Sequence, residues 1–540
     1  MNIKEKINSI YPLENSIPKA QSLKPIIQRE YLCGGKIKKY SGPTQKVFSP
    51  VMFNDSASLS ARLIGEYPMM SKKEAMEALE AAKQAYANGT GTWPTMKVSE
   101  RISCMEKFLS MMKGKREEIV KILMWEIAKT LPDSLKEFDR TVEYIVDTIT
   151  ALKELDRSSS RFSSASGIYG QIKRSPLGIV LCMGPYNYPL NETFTTLIPA
   201  LLMGNTVIFK PPKFGVLLHR PLLEAFAKSF PPGVVNTIYG DGKEIVTPIM
   251  KSGDVQVLAF IGSSKVADIL RQLHPAPHRL RCVLGLDAKN AAIILDGADL
   301  KNAVKECVSG ALSFNGQRCT ALKILFVHKN FQNVFIEEFV REIEKLKFGM
   351  PWEEGVSLTP IPDPSRVKYF QELISDARER GARVINENGG ESCGSFFYPA
   401  VVYPVKKTMR LWREEQFGPV IPFTYFEDIS EPLDYVINSN FGQQVSLFGK
   451  DPARISRLTD VLVNQVSRVN LNSQCQRGPD IFPFTGRKDS AEGTLSVSDA
   501  LRAFSIRALF AFKDTEENKK IVDEILKKGS SKFLSTDFIF

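Results

Sequence analysis

Residues 178–184 read Gly-Ile-Val-Leu-Cys-Met-Gly, an apolar run with a glycine at each end. A continuous apolar run of this length is typical of a strand that is buried on both faces of a parallel sheet. A helical pattern follows over 190–203, and further apolar runs at 205–209, 234–238 and 255–260 each precede a helical stretch. Alternation at this interval predicts βαβ units and therefore a doubly wound α/β sheet.

The flanking regions extend this α/β organisation. The alternation resumes from Ala291 to about Phe484, which predicts a second α/β domain, and 501–512 has the pattern of a late strand followed by a charged helical tail. Short β-prone pieces occupy 26–28, 47–53 and 59–64, and a capping box at Ser71-Lys-Lys-Glu74 begins a helix. The serine-rich segment 156–166 is interpreted as a linker.

Composition narrows the class of protein. With 43% hydrophobic and 24% charged residues, the 540-residue chain is an ordinary globular protein, and no apolar run approaches a membrane span of about 18 residues. A start without a signal sequence and eight cysteines without a Cys-X-X-Cys pair predict a reduced, cytoplasmic protein. The four histidines lack the usual ligand spacing, so no metal site is expected.

The net charge of +11 fits nucleic acid, an acidic surface or a phosphorylated small molecule, and the total alone does not choose among them. Nucleic acid is disfavoured because the chain has no basic run and no interleaving of basic and aromatic residues.

Three short segments carry residues suited to chemistry. Cys319 follows a helix and the turn Ser313–Gly316, and the adjacent Arg318 should favour its thiolate, although a lone cysteine can equally be an inert core residue. Asn187, in Gly-Pro-Tyr-Asn-Tyr-Pro, follows the first strand of the sheet, where its amide can donate to an oxyanion, or simply form a turn. Gly262-Ser263 follows a strand and offers either a phosphate site or a plain helix cap.

These segments occur together and in one order, and over roughly residues 40–515 the chain resembles the aldehyde dehydrogenase superfamily. The matching motifs are Gly184-Pro-Tyr-Asn187-Tyr-Pro, Phe209-Lys210-Pro-Pro, Phe260-Ile-Gly-Ser263, Gly316-Gln-Arg-Cys319 and Glu414-Glu415-Gln-Phe417-Gly-Pro419. Lys210-Pro-Pro, Gly316-Gln-Arg318-Cys-Thr-Ala and Gln476-Arg477-Gly look like those of the non-phosphorylating glyceraldehyde-3-phosphate dehydrogenases.

The resemblance implies two Rossmann-like α/β domains and a small β oligomerisation element. The corresponding ranges are a cofactor-binding domain over 1–290, within which 158–176 contributes to that element, a catalytic domain over 291–494, and the oligomerisation strand and tail over 495–540. It also implies a homo-oligomer, either a dimer or the homotetramer common in this family.

The resemblance also assigns roles to residues. Cys319 is the nucleophile, and the Asn187 amide with a backbone N–H at Cys319 holds the oxyanion. The substrate phosphate binds Arg140, Tyr188, Arg318 and Arg477. The cofactor-binding residues are Lys210, Gly262, Ser263, Glu415 and Phe417.

Two positions depart from the family pattern. Lys213 stands where NAD-using relatives commonly have a glutamate, and a lysine suits a 2′-phosphate, so NADP is favoured while NAD stays possible. The family's general base aligns with Gly285, or with Val283 in a second alignment, and neither residue takes a proton. Asp287 is the only nearby carboxylate and is taken as the base.

The leading hypothesis is an NADP-dependent, cytoplasmic enzyme of glycolysis that oxidises glyceraldehyde 3-phosphate to 3-phosphoglycerate without inorganic phosphate. A catalytically impaired relative acting as a scaffold or metabolite sensor is the alternative from another class. An aldehyde dehydrogenase for another small aldehyde is a third reading.

Overall fold

The N-terminal part of the chain forms a small sheet and a layer of helices in the computed structural model, which describes residues 2–55 and 58–538. Its elements are α1 (Ile3–Ser9), β1 (Ile26–Ile27), β2 (Glu30–Cys33), β3 (Lys36–Lys39), β4 (Thr44–Asn54), β5 (Leu59–Pro68), α2 (Lys72–Tyr86), α3 (Val98–Lys113), α4 (Arg116–Ile127) and α5 (Leu131–Ser158). The predicted capping box is confirmed, since the Ser71 hydroxyl accepts from Lys73 N and Glu74 accepts from Ser71 N.

The first large sheet contains the 178–184 run. The elements of this region are β6 (Phe162–Ala165), β7 (Ile168–Pro176), β8 (Ile179–Met183), α6 (Asn191–Leu202), β9 (Thr206–Lys210), α7 (Leu223–Ser229), β10 (Val235–Thr237), α8 (Gly242–Lys251), β11 (Val257–Ile261), α9 (Ser264–Leu273) and β12 (Arg281–Gly285). All five residues of β8 are buried, as the apolar run predicts. The helix predicted around 214–230 is shorter than expected, because a 3-10 turn with Pro221 inside it precedes α7.

The second large sheet occupies the next stretch of chain. Its region contains β13 (Asn290–Ile294), α10 (Leu300–Leu312), β14 (Leu322–His328), α11 (Gln332–Glu344), β15 (Lys347–Phe348), β16 (Val356–Leu358), α12 (Ser365–Glu379), β17 (Arg383–Val384), β18 (Ser392–Cys393), β19 (Phe396–Phe397), β20 (Ala400–Tyr403), α13 (Arg410–Arg413), β21 (Val420–Phe426), α14 (Ser430–Asn438), β22 (Phe441–Gly442), β23 (Gln444–Phe448), α15 (Pro452–Leu462) and β24 (Arg468–Leu471). The chain then continues through β25 (Arg487–Lys488), β26 (Ala491–Glu492), α16 (Val497–Ala503), β27 (Ser505–Lys513) and α17 (Glu516–Lys528).

Both large sheets are parallel except at one edge. The first has the order β10-β9-β8-β11-β12-β26 and the second β17-β20-β21-β14-β13-β23-β24, with β26 and β17 antiparallel to their neighbours. In the first sheet the register pairs Met183 with Lys210 and Ile261 with Gly285. The segments that follow these four strands therefore leave the sheet at the same edge, where ligands bind in open α/β sheets.

Two expectations about the three-stranded sheet of β6, β7 and β27 were wrong in detail. The serine-rich segment is not a linker, because α5 continues to Ser158 and residues 162–165 form β6 against β7. The late strand begins at Ser505 rather than 501, since 497–503 forms α16. The strand β27 pairs with β7 along its full length, in the order β27-β7-β6, which leaves one edge of β27 open.

Within the described residues, none of the helices combines the length and the apolarity needed to cross a lipid bilayer.

Candidate active site

Cys319 lies on a tight loop between α10 and β14. Gly316 in this loop has φ +71°, and a Cβ there would lie 2.7 Å from the Ala311 carbonyl oxygen and 2.8 Å from that of Gly418. Because both neighbours are backbone atoms, only glycine fits this turn. The close approach places the loop against the segment that enters β21 and presents Cys319 just before β14 begins.

Both backbone groups of Cys319 matter to the site. Its carbonyl oxygen accepts from Asn290 Nδ2 at 2.7 Å and from Lys323 Nζ at 3.1 Å. Its N–H has no hydrogen-bond acceptor among the described residues, so it can donate to an oxyanion formed at the thiol. The Asn187 amide reaches the same loop, donating to the Gln317 carbonyl oxygen at 2.8 Å. The structure thus brings Asn187 and Cys319 together, as the sequence predicts.

The electrostatics of the thiol differ from the expectation. Burial and, to a smaller extent, the negative charge of Glu192 raise the pKa of Cys319 to about 11, against the opposing charges of Lys323 and Arg477. Arg318 was expected to favour the thiolate, and this was wrong. Its guanidinium points instead to the Gly310 carbonyl oxygen, at 2.9 Å. In the free protein Cys319 is therefore held as the neutral thiol at neutral pH.

Two predicted phosphate-binding arginines share one aspartate. Arg140 forms a bidentate pair with Asp480, with distances of 2.9 Å from Nε and 2.7 Å from Nη2. The Nε of Arg477 lies 3.3 Å from Asp480, while its Nη1 forms an ion pair with Glu192. Both carboxylates are buried, with side chains 8% exposed. Asp480 therefore joins residues 337 positions apart and holds the two guanidinium groups side by side.

Arg318 and Tyr188 each keep an uncommitted donor. The Arg318 Nε is buried and has no hydrogen-bond partner among the described residues. The Tyr188 hydroxyl likewise makes no hydrogen bond within the described part of the chain, and burial raises the pKa of Tyr188, so it remains a neutral donor. The charges of Arg318 and Arg140 both act on this tyrosine, which places all three near one another. Free donors of this kind suit an anionic group of a substrate.

A buried ion pair supports the turn that carries Asn187. Lys129 and Glu137 are both fully buried and lie 2.5 Å apart. Lys129 also donates to the Asn187 carbonyl oxygen at 2.7 Å and lies 3.5 Å from the centre of the Tyr188 ring. The other Glu137 oxygen accepts from the N–H of Leu190 at 3.0 Å. The pair therefore ties α5 and the segment between α4 and α5 to the turn that carries Asn187 and to the start of α6.

A second group of residues is joined to the Cys319 loop through Lys323. Lys323, which donates to the Cys319 carbonyl oxygen, also forms an ion pair with Glu415, and burial raises the pKa of Glu415. Phe417 has φ +44°, and its ring lies 5.8 Å from that of Tyr186 in an edge-to-face arrangement. Two of the predicted cofactor residues are thus linked to the nucleophile through Lys323, which the sequence reasoning missed.

The remaining cofactor residues follow strands of the first sheet. Lys210 ends β9 and is half-buried, and desolvation lowers its pKa, yet the only hydrogen bond of its ammonium within the described residues is a 3.4 Å contact to the Pro211 carbonyl oxygen. Ser263 precedes α9 and caps it with no side-chain bond, so its hydroxyl is available. Lys213 is exposed, 5.3 Å from the centre of the Phe214 ring. A half-buried ammonium with one long hydrogen bond and a free hydroxyl beside a helix start fit a phosphate-bearing dinucleotide.

The general base was expected at the position of Gly285 or, in its place, at Asp287. Gly285 ends β12 and has no side chain, and Asp287 accepts from both the N–H and the hydroxyl of Ser264, each at 2.7 Å. The Asp287 carboxylate thus caps the start of α9, and within the described residues it makes no hydrogen bond to the cysteine loop. Its role as a base stays a prediction.

Besides Lys323, four residues of the site were not found from the sequence: Lys129, Glu137, Glu192 and Asp480. Each is a charged residue in a stretch that reads as an ordinary amphipathic helix or loop. Asp480 alone gave a local signal, because it follows the Gln476-Arg-Gly motif by two residues. No group of three His, Cys, Asp or Glu side chains suited to a metal ion occurs in the part of the chain that the structure describes.

Comparison with known proteins places this geometry in a family. Residues 50–508 match the description "Aldehyde dehydrogenase family". The chain belongs to the aldehyde dehydrogenase family. This assignment confirms the resemblance on which the residue roles were based.

Several relatives of this aldehyde dehydrogenase carry one name. A Streptococcus equinus protein called NADP-dependent glyceraldehyde-3-phosphate dehydrogenase is 34% identical over 457 residues, 84% of this chain and 92% of the relative. A Pisum sativum protein of the same name is 28% identical, over 87% of this chain and 92% of the relative.

The solved structures confirm the fold of the aldehyde dehydrogenases. The Bacillus halodurans NADP-dependent glyceraldehyde-3-phosphate dehydrogenase, crystallised with NADP, is 29% identical and has a TM-score of 0.82. That comparison covers 91% of this chain and 100% of the other. The expected fold, with two Rossmann-like α/β domains, is therefore correct, while the predicted domain limits stay untested.

Proposed function

We propose that the protein oxidises glyceraldehyde 3-phosphate to 3-phosphoglycerate, with NADP as electron acceptor and without inorganic phosphate. The observation that carries the proposal is that two groups of residues meet at Cys319, since the charges of Arg477 and Lys323 both act on its thiol. One group holds three arginines and Tyr188, and the other holds Lys323, Glu415 and Phe417. The names of the relatives support the same activity.

The first step uses the cysteine loop. As the Cys319 sulfur bonds to the aldehyde carbon, its thiol proton passes to solvent water and negative charge develops on the aldehyde oxygen, to which the Asn187 amide and the Cys319 N–H donate. Bound NADP supplies the acceptor for the hydride that leaves the resulting thiohemiacetal carbon. Lys323 fixes the loop during this step because it holds the Cys319 carbonyl oxygen and the Glu415 carboxylate together.

The substrate phosphate pairs with the arginine group. Arg140 and Arg477 both pair with Asp480, and the Arg318 Nε and the Tyr188 hydroxyl are free to donate. A phosphate dianion offers several acceptor oxygens, which suits converging guanidinium groups better than an uncharged aldehyde does. This arrangement supports a small phosphorylated aldehyde as the substrate.

The cofactor preference rests on Lys210, Ser263 and Lys213. Lys210 and Ser263 suit the shared part of a dinucleotide, and Lys213 is the residue that distinguishes NADP from NAD.

The expectations about oligomeric state, cellular location and pathway are also part of the proposal. The open edge of β27, where Leu509 is 63% exposed, supports a homo-oligomer, and we propose with it a homotetramer, a cytoplasmic location and a role in glycolysis. An open strand edge with apolar side chains suits pairing with a second copy of the chain.

Steady-state assays with glyceraldehyde 3-phosphate test the function. NADPH and 3-phosphoglycerate should form in equal amounts without added phosphate, and NADP should be preferred over NAD. Turnover that requires inorganic phosphate would refute the proposal.

A second candidate is an impaired enzyme that senses the aldehyde by forming a thioacyl adduct. It is favoured by the bare Gly285 and the engagement of Asp287 with Ser264. It predicts a stoichiometric adduct on Cys319 with no steady turnover.

A further inference from the structure

Release of a thioacyl group from Cys319 needs a carboxylate that takes a proton from water. Gly285 provides no side chain, and one carboxylate oxygen of Asp287 already accepts two hydrogen bonds from Ser264. The chain offers another buried carboxylate beside the same loop, that of Glu192, which no family motif assigns.

Glu192 lies in the first turn of α6, five residues after Asn187. Its backbone N–H donates to the Tyr188 carbonyl oxygen at 3.1 Å, so the turn that carries the oxyanion-binding amide continues directly into this helix. The same turn contacts the cysteine loop through the 2.8 Å bond from Asn187 to Gln317, two residues before Cys319. The Glu192 charge also raises the pKa of Cys319, second only to burial, which agrees with this proximity.

The carboxylate of Glu192 is oriented but not saturated. One oxygen, Oε2, forms the ion pair with Arg477, and the side chain is 8% exposed. The other oxygen, Oε1, accepts no hydrogen bond from the described residues, and it is not completely buried. Arg477 is itself fixed by Asp480 at 3.3 Å and by the Phe484 ring, 4.6 Å away. A carboxylate with one anchored and one open oxygen is suited to positioning a water molecule.

We propose that Glu192 is the general base of deacylation in this protein. The water oxygen bonds to the thioacyl carbon while the Glu192 carboxylate takes a proton from that water. The tetrahedral intermediate then collapses, the carbon–sulfur bond breaks, and Cys319 leaves as the thiolate. The acid product departs, and the proton on Glu192 passes to solvent. This proposal rests on the proposed function, since it requires a thioacyl enzyme.

The test is pre-steady-state mixing of glyceraldehyde 3-phosphate and NADP with the full-length Glu192→Gln variant. Glutamine keeps the size of the side chain and an acceptor for Arg477, so binding and acylation should persist. The expected result is a burst of about one NADPH per active subunit, followed by a steady rate reduced by about 10²–10⁴-fold, the usual contribution of a general base. Mass spectrometry of the quenched variant should find the acyl group on Cys319.

Glu224→Gln is the matched control, because it removes an exposed carboxylate that pairs with Lys228 away from the site, and it should keep both the burst and the steady rate. A second variant adds Gly285→Glu to Glu192→Gln. A Cβ at 285 meets only side-chain carbons, the nearest being Ile261 Cγ1 at 3.4 Å, so a carboxylate can be placed there and should restore steady turnover.

An unchanged steady rate in Glu192→Gln overturns the assignment, and so does an equal loss of burst and steady rate in a variant with normal thermal stability. A burst without turnover in Asp287→Asn would make Asp287 the base instead. If the wild-type protein gives no burst with glyceraldehyde 3-phosphate, the proposed function fails, whatever the variants do.

Discussion

Lys129→Met should both destabilise the protein and slow its chemistry. The substitution removes the partner of the fully buried Glu137 carboxylate, and breaking a buried ion pair costs about 3–5 kcal/mol. Glu137 keeps its backbone donors, the N–H groups of Leu190 and Asn191 at 3.0 and 3.2 Å, so we expect the lower figure of about 3 kcal/mol. At roughly 2–4 °C per kcal/mol for a domain of this size, the melting temperature should fall by about 6–12 °C.

The substitution should also slow the reaction, because it removes the hydrogen bond that Lys129 donates to the Asn187 carbonyl oxygen at 2.7 Å. Differential scanning fluorimetry measures the stability, and NADPH formation measures the rate. Lys228→Met is the matched control, since Lys228 is 60% exposed in its pair with Glu224 and should contribute less than about 1 kcal/mol. Adding Glu137→Gln to Lys129→Met should recover much of the stability. A melting temperature within 2 °C of wild type for Lys129→Met would refute this reasoning.

Three further predictions follow from the site and the open strand. Because the pKa of Cys319 is about 11, its thiolate fraction and the rate of inactivation by iodoacetamide should rise about tenfold per pH unit from pH 7 to 9, and a plateau below pH 9 would contradict the buried-thiol description. Arg140→Gln should raise KM for glyceraldehyde 3-phosphate roughly 10–100-fold, from about 1.5–3 kcal/mol per charged hydrogen bond, but not KM for an uncharged aldehyde. Arg116→Gln, which breaks a similar bidentate pair with Asp139 away from the site, should leave both KM values unchanged. Leu509→Lys, on the open edge of β27, should lower the molar mass in light scattering without changing the fold of the subunit, whereas an unchanged mass would exclude this edge as an interface.

Much of the fold could be predicted because its signals are local. The 178–184 run forms a strand for the reason that the sequence indicates, since every residue of β8 is buried between helices. The Ser71 capping box and the helix before Cys319 are likewise encoded by neighbouring residues. The serine-rich 156–166 segment was wrongly interpreted as a linker because β6 is an exposed strand without apolar alternation. Its place in the sheet depends on pairing with β7, which no local pattern indicates.

The site was predictable in its motifs but not in its electrostatics. Proximity in sequence suggested that Arg318 activates Cys319, yet the arginine side chain reaches away to α10, and burial decides the pKa of the thiol. Glu192 gains its significance from Arg477, 285 residues away, and Asp480 gains most of its own from Arg140, 340 residues away. No local pattern distinguishes Glu192 from a residue of a solvated helix.

The most direct test of the central claim is a single-turnover comparison of the wild-type protein with Cys319→Ser. Both are mixed with NADP and glyceraldehyde 3-phosphate in the absence of inorganic phosphate, and NADPH is followed by absorbance. The account predicts about one NADPH per active subunit in the first turnover of the wild type and none above background in the serine variant. NADPH formation that persists in Cys319→Ser would contradict the assignment of the nucleophile and, with it, the proposed reaction.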